Sequence, residues 1–77
     1  MAAFGTETFY SNVEAERARK GWTIKEAAER LGIGEKTYRE RLAYGKDVSA
    51  SAVYQYAKTF DVSADYLLGL SDKINRQ

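Results

Sequence analysis

The chain has no cysteine, no histidine and no proline in its 77 residues. Without cysteine there is neither a disulfide nor a thiolate metal site. Without histidine only carboxylates remain as strong side-chain metal ligands, and the commonest acid–base group of enzymes is missing. Nucleophile-and-base catalysis is therefore poorly provided for, and an enzyme is not expected. Absence of proline leaves every stretch free to be helical. No apolar run approaches the roughly 20 residues that span a bilayer. The opening Met1-Ala-Ala-Phe-Gly-Thr-Glu has neither the basic segment nor the apolar stretch of a secretory leader, so a cytoplasmic protein with no membrane contact is the expectation. A chain of this size supports one domain with a modest core, and with no covalent staple its stability has to come from packed helices, helped by dimerisation.

Net charge is only +1, but the charge is segregated. From Arg17 to Lys46 there are nine Lys/Arg against four Asp/Glu; the rest of the chain has three against seven. The middle of the sequence thus carries a local excess of +5. A positive field of that kind attracts a polyanion, although solubilising surface charge gives the same pattern.

Caps, periods and breakers mark five short helices. The first is expected over Thr8–Lys20, with Thr6 or Thr8 as cap, Phe9 and Val13 inward, and Gly21 as the stop. The second has the clearest start. Thr23-Ile-Lys-Glu26 is a capping box, in which each residue satisfies the other's backbone N–H. Ile24, Ala27, Ala28 and Leu31 then form one apolar helical face, and Gly32 ends it in a left-handed turn. The third helix is expected over Glu35–Tyr44, with Tyr38 and Leu42 inward and Gly45 as its C′ residue. Ser49 caps a fourth, Ala50–Phe60, with Val53, Ala57 and Phe60 inward. Ser63 caps a fifth, Ala64–Leu68, ended by Gly69, with Leu67, Leu68 and Leu70 closing the core. Residues 1–7 read as a flexible N-terminal segment, 8–70 as the domain, and 71–77 as a polar, frayed tail.

Two helices joined by so short a turn cross steeply and need a small residue where they meet. Ala28 is small at that crossing, Gly32 makes the turn, Ile33 plugs the angle and Tyr38 anchors the third helix from inside. The third helix is left with a narrow apolar stripe and a charged outer surface. A helix presented in this way fits the major groove of B-form DNA.

The stretch Gly21-Trp-Thr-Ile-Lys-Glu-Ala-Ala-Glu-Arg-Leu-Gly-Ile33 resembles the helix-turn-helix of lambda-repressor-like proteins, the Cro/CI or XRE type. The likeness extends upstream through Asn12-Val-Glu-Ala-Glu-Arg-Ala-Arg-Lys-Gly21 and downstream through Lys36-Thr-Tyr38, Gly45-Lys46 and Ala57-Lys-Thr-Phe60. It closes on Val62-Ser-Ala-Asp-Tyr-Leu-Leu-Gly69, an ending frequent in phage-type and chromosomal repressors. The resemblance implies an all-α, five-helix domain, a double-stranded DNA operator as partner, and a two-fold homodimer whose surface is the fifth helix and the tail. No cofactor or metal is expected from the sequence, and no small-molecule ligand is evident in it.

On that resemblance Glu35, Lys36, Arg39 and Glu40 meet base edges. Chemically, Lys and Arg donate to guanine O6 and N7, and Glu accepts from cytosine N4. The competing reading makes Glu35–Arg39 and Lys36–Glu40 solvated helical ion pairs. Arg17, Arg19, Lys20, Thr23, Lys25 and Lys46 are phosphate candidates, Lys25 being further favoured by the dipole at the start of the second helix. Arg17 has an alternative, since in similar proteins an Arg at this point pairs with an internal carboxylate. The chain departs from the family in four places: apolar Ile24 where many members carry Gln on a phosphate, Arg41 where Trp or Ile packs inward (Leu42, one place on, taking over that packing), a third helix one residue longer before Gly45-Lys46, and Glu16 where an inward Leu is common.

The remaining candidates read as structural. Tyr10, Trp22, Tyr38, Tyr44, Tyr54, Tyr56 and Tyr66 suit core or dimer packing better than base stacking, and Tyr54 and Tyr56 cannot both face inward. Gly32-Ile-Gly34 lacks the strand and third glycine of a phosphate loop. Glu14/Glu16 and Glu26/Glu29 are expected on exposed faces with nothing to raise a pKa, and so form no catalytic dyad. A protein-binding module on the same fold, of the antitoxin or anti-regulator kind, is the alternative function. The third helix's acidic residues and Ile24 favour it.

Overall fold

A computed structural model describes residues 6–45 and 48–71. Among them are five helices and no strand: α1 (Thr6–Lys20), α2 (Ile24–Leu31), α3 (Glu35–Tyr44), α4 (Ala50–Phe60) and α5 (Ala64–Leu68). The four later helices have the bounds the sequence suggests. The first starts two residues earlier than expected, at Thr6, and the remainder of the expected terminal segments, 1–5 and 72–77, lies outside the described residues.

The starts and stops have local causes. Ser49 and Ser63 accept from the backbone N–H of Ala52 and Tyr66, which caps α4 and α5. Asp61, at φ 55°, and Gly69, at φ 82°, end these helices in the left-handed region. Gly45 does not behave as expected. Its φ is −47°, so it is not a left-handed C′ residue. It is needed for another reason: a Cβ there would run into the Arg41 carbonyl oxygen and lie 2.5 Å from the Tyr10 ring. Only a glycine fits between the last turn of α3 and the Tyr10 ring of α1.

The core is built by all five helices. Phe9 and Val13 of α1, Ala27, Ala28 and Leu31 of α2, Tyr38 of α3, Tyr56, Ala57 and Phe60 of α4, and Leu67 of α5 are buried, with Val62 from the α4–α5 turn. The Val, Leu and Phe side chains among these contribute about 1.5–3 kcal/mol each when buried, the alanine methyls less than about 1 kcal/mol. Edge-to-face contacts among Phe9, Tyr10 and Tyr56, at centroid distances of 5.0–6.1 Å, fasten α1 to α4. The Asn12 amide donates to the carbonyls of Tyr66 (2.9 Å) and Leu67 (3.3 Å), tying α1 to the carbonyl end of α5.

Of the two neighbouring tyrosines, Tyr56 is buried and Tyr54 is exposed. Leu70 does not close the core. It lies beyond the Gly69 cap, where the chain has turned outward, and is 63% exposed. Leu68 and Val53 are half-buried against the core. No helix among the described residues is long and apolar enough to cross a membrane.

Candidate nucleic-acid interface

The α2–α3 elbow is assembled from short-range bonds. Thr23 Oγ1 accepts from Glu26 N at 3.0 Å, and Glu26 Oε1 accepts from Thr23 N at 2.7 Å, completing the capping box. At the other end Gly32 stands at φ 75°, and the Ile33 N–H donates back to the Ala28 carbonyl at 3.0 Å. Ala28 is buried at the crossing, Ile33 is half-buried in the angle, and Tyr38 is 1% exposed beneath α3. The four residues expected to form the elbow are therefore brought together.

That arrangement leaves one side of α3 bare. Glu35, Lys36, Thr37, Arg39, Glu40, Ala43 and Tyr44 are all exposed. A shallow open groove runs along the helix over Glu35, Lys36, Arg39, Glu40, Ala43 and Tyr44. Arg39 Nη2 donates to Glu35 Oε2 at 3.0 Å, with both side chains well exposed. Such a pair is worth a few tenths of a kcal/mol and exchanges readily for another anion. Among the described residues Lys36 forms no ion pair with Glu40. Thr37 and Ala43 are not singled out for this face from the sequence, and Tyr44 reads there only as a packing residue. The signal was available: once Tyr38 and Leu42 point inward, the helical period carries Ala43 and Tyr44 to the outer flank.

The phosphate candidates separate. Lys20, Thr23 and Lys25 are exposed around the α1–α2 junction. Lys20 and Arg30 both lie over the Trp22 ring, at 5.7 and 4.4 Å from its centroid. Arg19 is 59% exposed, but its Nη1 donates to Glu16 at 2.6 Å. Arg17 is engaged internally. Its Nε and Nη2 bind the two oxygens of Glu14 at 2.9 Å each, and its Nη1 donates to the Trp22 carbonyl at 2.6 Å. Lys46 lies outside the described residues.

The expectation that Glu14 and Glu16 sit on exposed faces is corrected. Glu16 is 2% exposed, and Glu14 is half-buried, accepting from the Tyr38 hydroxyl at 2.7 Å as well as from Arg17. Burial pushes the Glu14 carboxyl up, but the hydrogen bonds from Arg17 and Tyr38 and the Arg17 charge outweigh it and hold it below the ordinary carboxylate range. The same bond has the opposite effect on its donor. Burial first, then the Glu14 hydrogen bond and charge, drive the Tyr38 phenol far up, so that it stays a neutral donor. Arg41, at the departure from the family pattern, is half-buried with Nη1 donating to the Tyr56 hydroxyl at 3.3 Å, while Leu42 packs against the core beside it. Ile24 is half-buried against the core too, which accounts for an apolar residue there.

Nothing in the site suggests a metal or an unfinished polar pocket. Among the described residues there is no cluster of three or more metal-ligating side chains, and no buried side-chain polar atom lacks a partner. A family model for helix-turn-helix proteins matches residues 13–67, from within α1 into α5. No curated protein and no solved structure matches the chain. With the family match covering well over half of the sequence, the five-helix order and the elbow agree on one conclusion: the chain belongs to the XRE, or lambda-repressor-like, family of DNA-binding helix-turn-helix proteins.

Proposed function

We propose that this chain is a transcriptional repressor that binds a specific double-stranded DNA operator as a homodimer, with α3 in the major groove. The observation that carries the reading is the bare, charged flank of α3 held out by the hydrogen-bonded elbow. Lys36 and Arg39 donate to guanine, and Glu35 and Glu40 accept from cytosine N4, so a G·C-containing half-site suits the face. Glu35 releases Arg39 when a base edge takes its place, at little cost for so exposed a pair. Arg19, Lys20, Thr23, Lys25 and Lys46 hold phosphates. Arg17 is left out of that set because Nε, Nη1 and Nη2 are all already bonded within the protein. In a dimer joined near α5, two copies of α3 stand about 34 Å apart, one turn of DNA. Exposed Tyr54 and Leu70 supply apolar surface for that contact.

The test is a titration of duplex DNA at two salt concentrations. Each phosphate contact releases counterions, so affinity is expected to fall steeply with salt. Affinity that is flat with salt would defeat the reading. A protein partner is the second reading, favoured by Glu35, Glu40 and the 73% exposed Tyr44 on the same helix. It predicts no mobility shift with any duplex at low salt.

A further inference from the structure

Helix α3 packs chiefly on α2 and has one fully buried side chain, Tyr38. The ring fills volume, but the hydroxyl adds direction. It donates to Glu14 Oε2 on α1 at 2.7 Å. Glu14 in turn receives two parallel bonds from Arg17, and Arg17 Nη1 reaches the carbonyl of Trp22 at 2.6 Å. Trp22 immediately precedes Thr23, the N-cap of α2. One unbroken run of hydrogen bonds therefore links the middle of α3, through α1, to the backbone at the start of α2. Every link but the first is a bond between ions or from an ion to a carbonyl, and the first ends on a carboxylate. These are the strong and directional kinds.

On the reading that α3 enters the groove, this run joins the two parts of the protein that face DNA. We infer that Glu14 and Arg17, acting through Tyr38, are positioning residues for base readout, fixing the rotation of α3 against the phosphate-holding α1–α2 junction. Neither touches DNA. A binding constellation tolerates misplacement of about 0.5 Å or 10–20°. Lys36 and Arg39 lie two residues before and one residue after Tyr38, so any roll of the short helix about its axis moves both. Phosphate contacts made by long, exposed lysines adapt to such a roll, whereas bidentate base contacts do not.

The experiment compares the wild-type chain, Tyr38→Phe, Glu14→Gln and the double variant. Each is titrated with a duplex selected from a random pool and with a scrambled duplex of equal length, and circular dichroism reports the fold. Tyr38→Phe keeps the ring, and Glu14→Gln keeps an acceptor but loses the charge that grips Arg17. Affinity for the selected duplex is expected to fall by about tenfold, the scale of one hydrogen bond to a charged group, with the scrambled duplex unaffected. The double variant is expected to lose no more than the worse single, because both break the same run. Folded variants that keep the wild-type preference, or that lose both affinities in parallel, overturn the inference. So do variants that lose helicity, since the network would then serve the fold itself. A wild-type chain with no preference between the duplexes defeats the proposed function, and this inference with it.

Discussion

Replacing Glu16 with leucine is expected to stabilise the domain. Glu16 is 2% exposed, on the side of α1 that meets α5, and its carboxylate bonds Arg19 at 2.6 Å. The Tyr66 phenol lies against the same carboxylate; burial, followed by that negative charge, pushes its pKa up. Arg19 is 59% exposed, so the ion pair is screened and worth at most about 1 kcal/mol. The contact with Tyr66 adds about 1 kcal/mol, and water can replace it because Tyr66 is only half-buried. Against these stand the cost of keeping a carboxylate out of water and the roughly 1.5–3 kcal/mol that a buried Leu contributes. The balance favours Glu16→Leu by about 1 kcal/mol, a rise in Tm of about 4–8 °C for a domain of this size. Differential scanning calorimetry or thermal circular dichroism reads it directly. A fall in Tm of a few degrees would refute the reasoning. It would mean that the Glu16 bonds outweigh its desolvation, as a well-satisfied buried carboxylate sometimes does.

Three further outcomes follow from the geometry. Gly32→Ala is expected to cost about 1–2 kcal/mol by thermal melting, purely from the left-handed backbone, because no atom lies within 4 Å of the added methyl. Gly45→Ala is expected to cost about 1–3 kcal/mol for the opposite reason, a clash with the Arg41 carbonyl oxygen and the Tyr10 ring at an unstrained φ. Stability should also fall at both ends of the pH scale, as urea midpoints measured across pH would show. Glu14 has a lowered folded pKa, so its contribution is present above the ordinary carboxylate pKa and is lost as pH drops below it. Tyr38 has a raised folded pKa, so its contribution is present below its ordinary value of 10.0 and is lost above it, where the unfolded chain ionises first. Tyr10 and Tyr66 are raised as well and act in the same direction, so Tyr38→Phe should flatten the alkaline limb only in part.

What could be read from the sequence was set within a few residues. The capping box of Thr23 and Glu26, the left-handed turn at Gly32 and the serine caps of α4 and α5 all depend on neighbours three to five positions away. Their chemistry is visible in one stretch of chain, and so the elbow was too. The misreadings involve distant partners. Glu14 and Glu16 look like surface charges on α1 until Tyr38 of α3 and Tyr66 of α5 are brought against them. Gly45 reads as a helix stop, and only the tertiary approach of Tyr10 shows its other purpose. Leu70 reads as core because it is apolar, yet the cap before it turns the chain away. On the candidate interface the helical period gave Glu35, Lys36, Arg39 and Glu40 as outward. The fate of Arg17 could not be read from charge alone, since a free arginine and a bonded one look identical in a sequence.

The central claim, that the outer flank of α3 reads bases while the α1–α2 junction grips phosphate, is tested most directly by measuring Lys36→Ala, Arg39→Ala and Lys25→Ala against selected and random duplexes at one salt concentration. The first two are expected to lose about 1–3 kcal/mol of discrimination per bidentate contact, and the third to weaken both duplexes alike. Three variants that behave identically, or an Arg39→Ala chain with undiminished preference for the selected duplex, would contradict it.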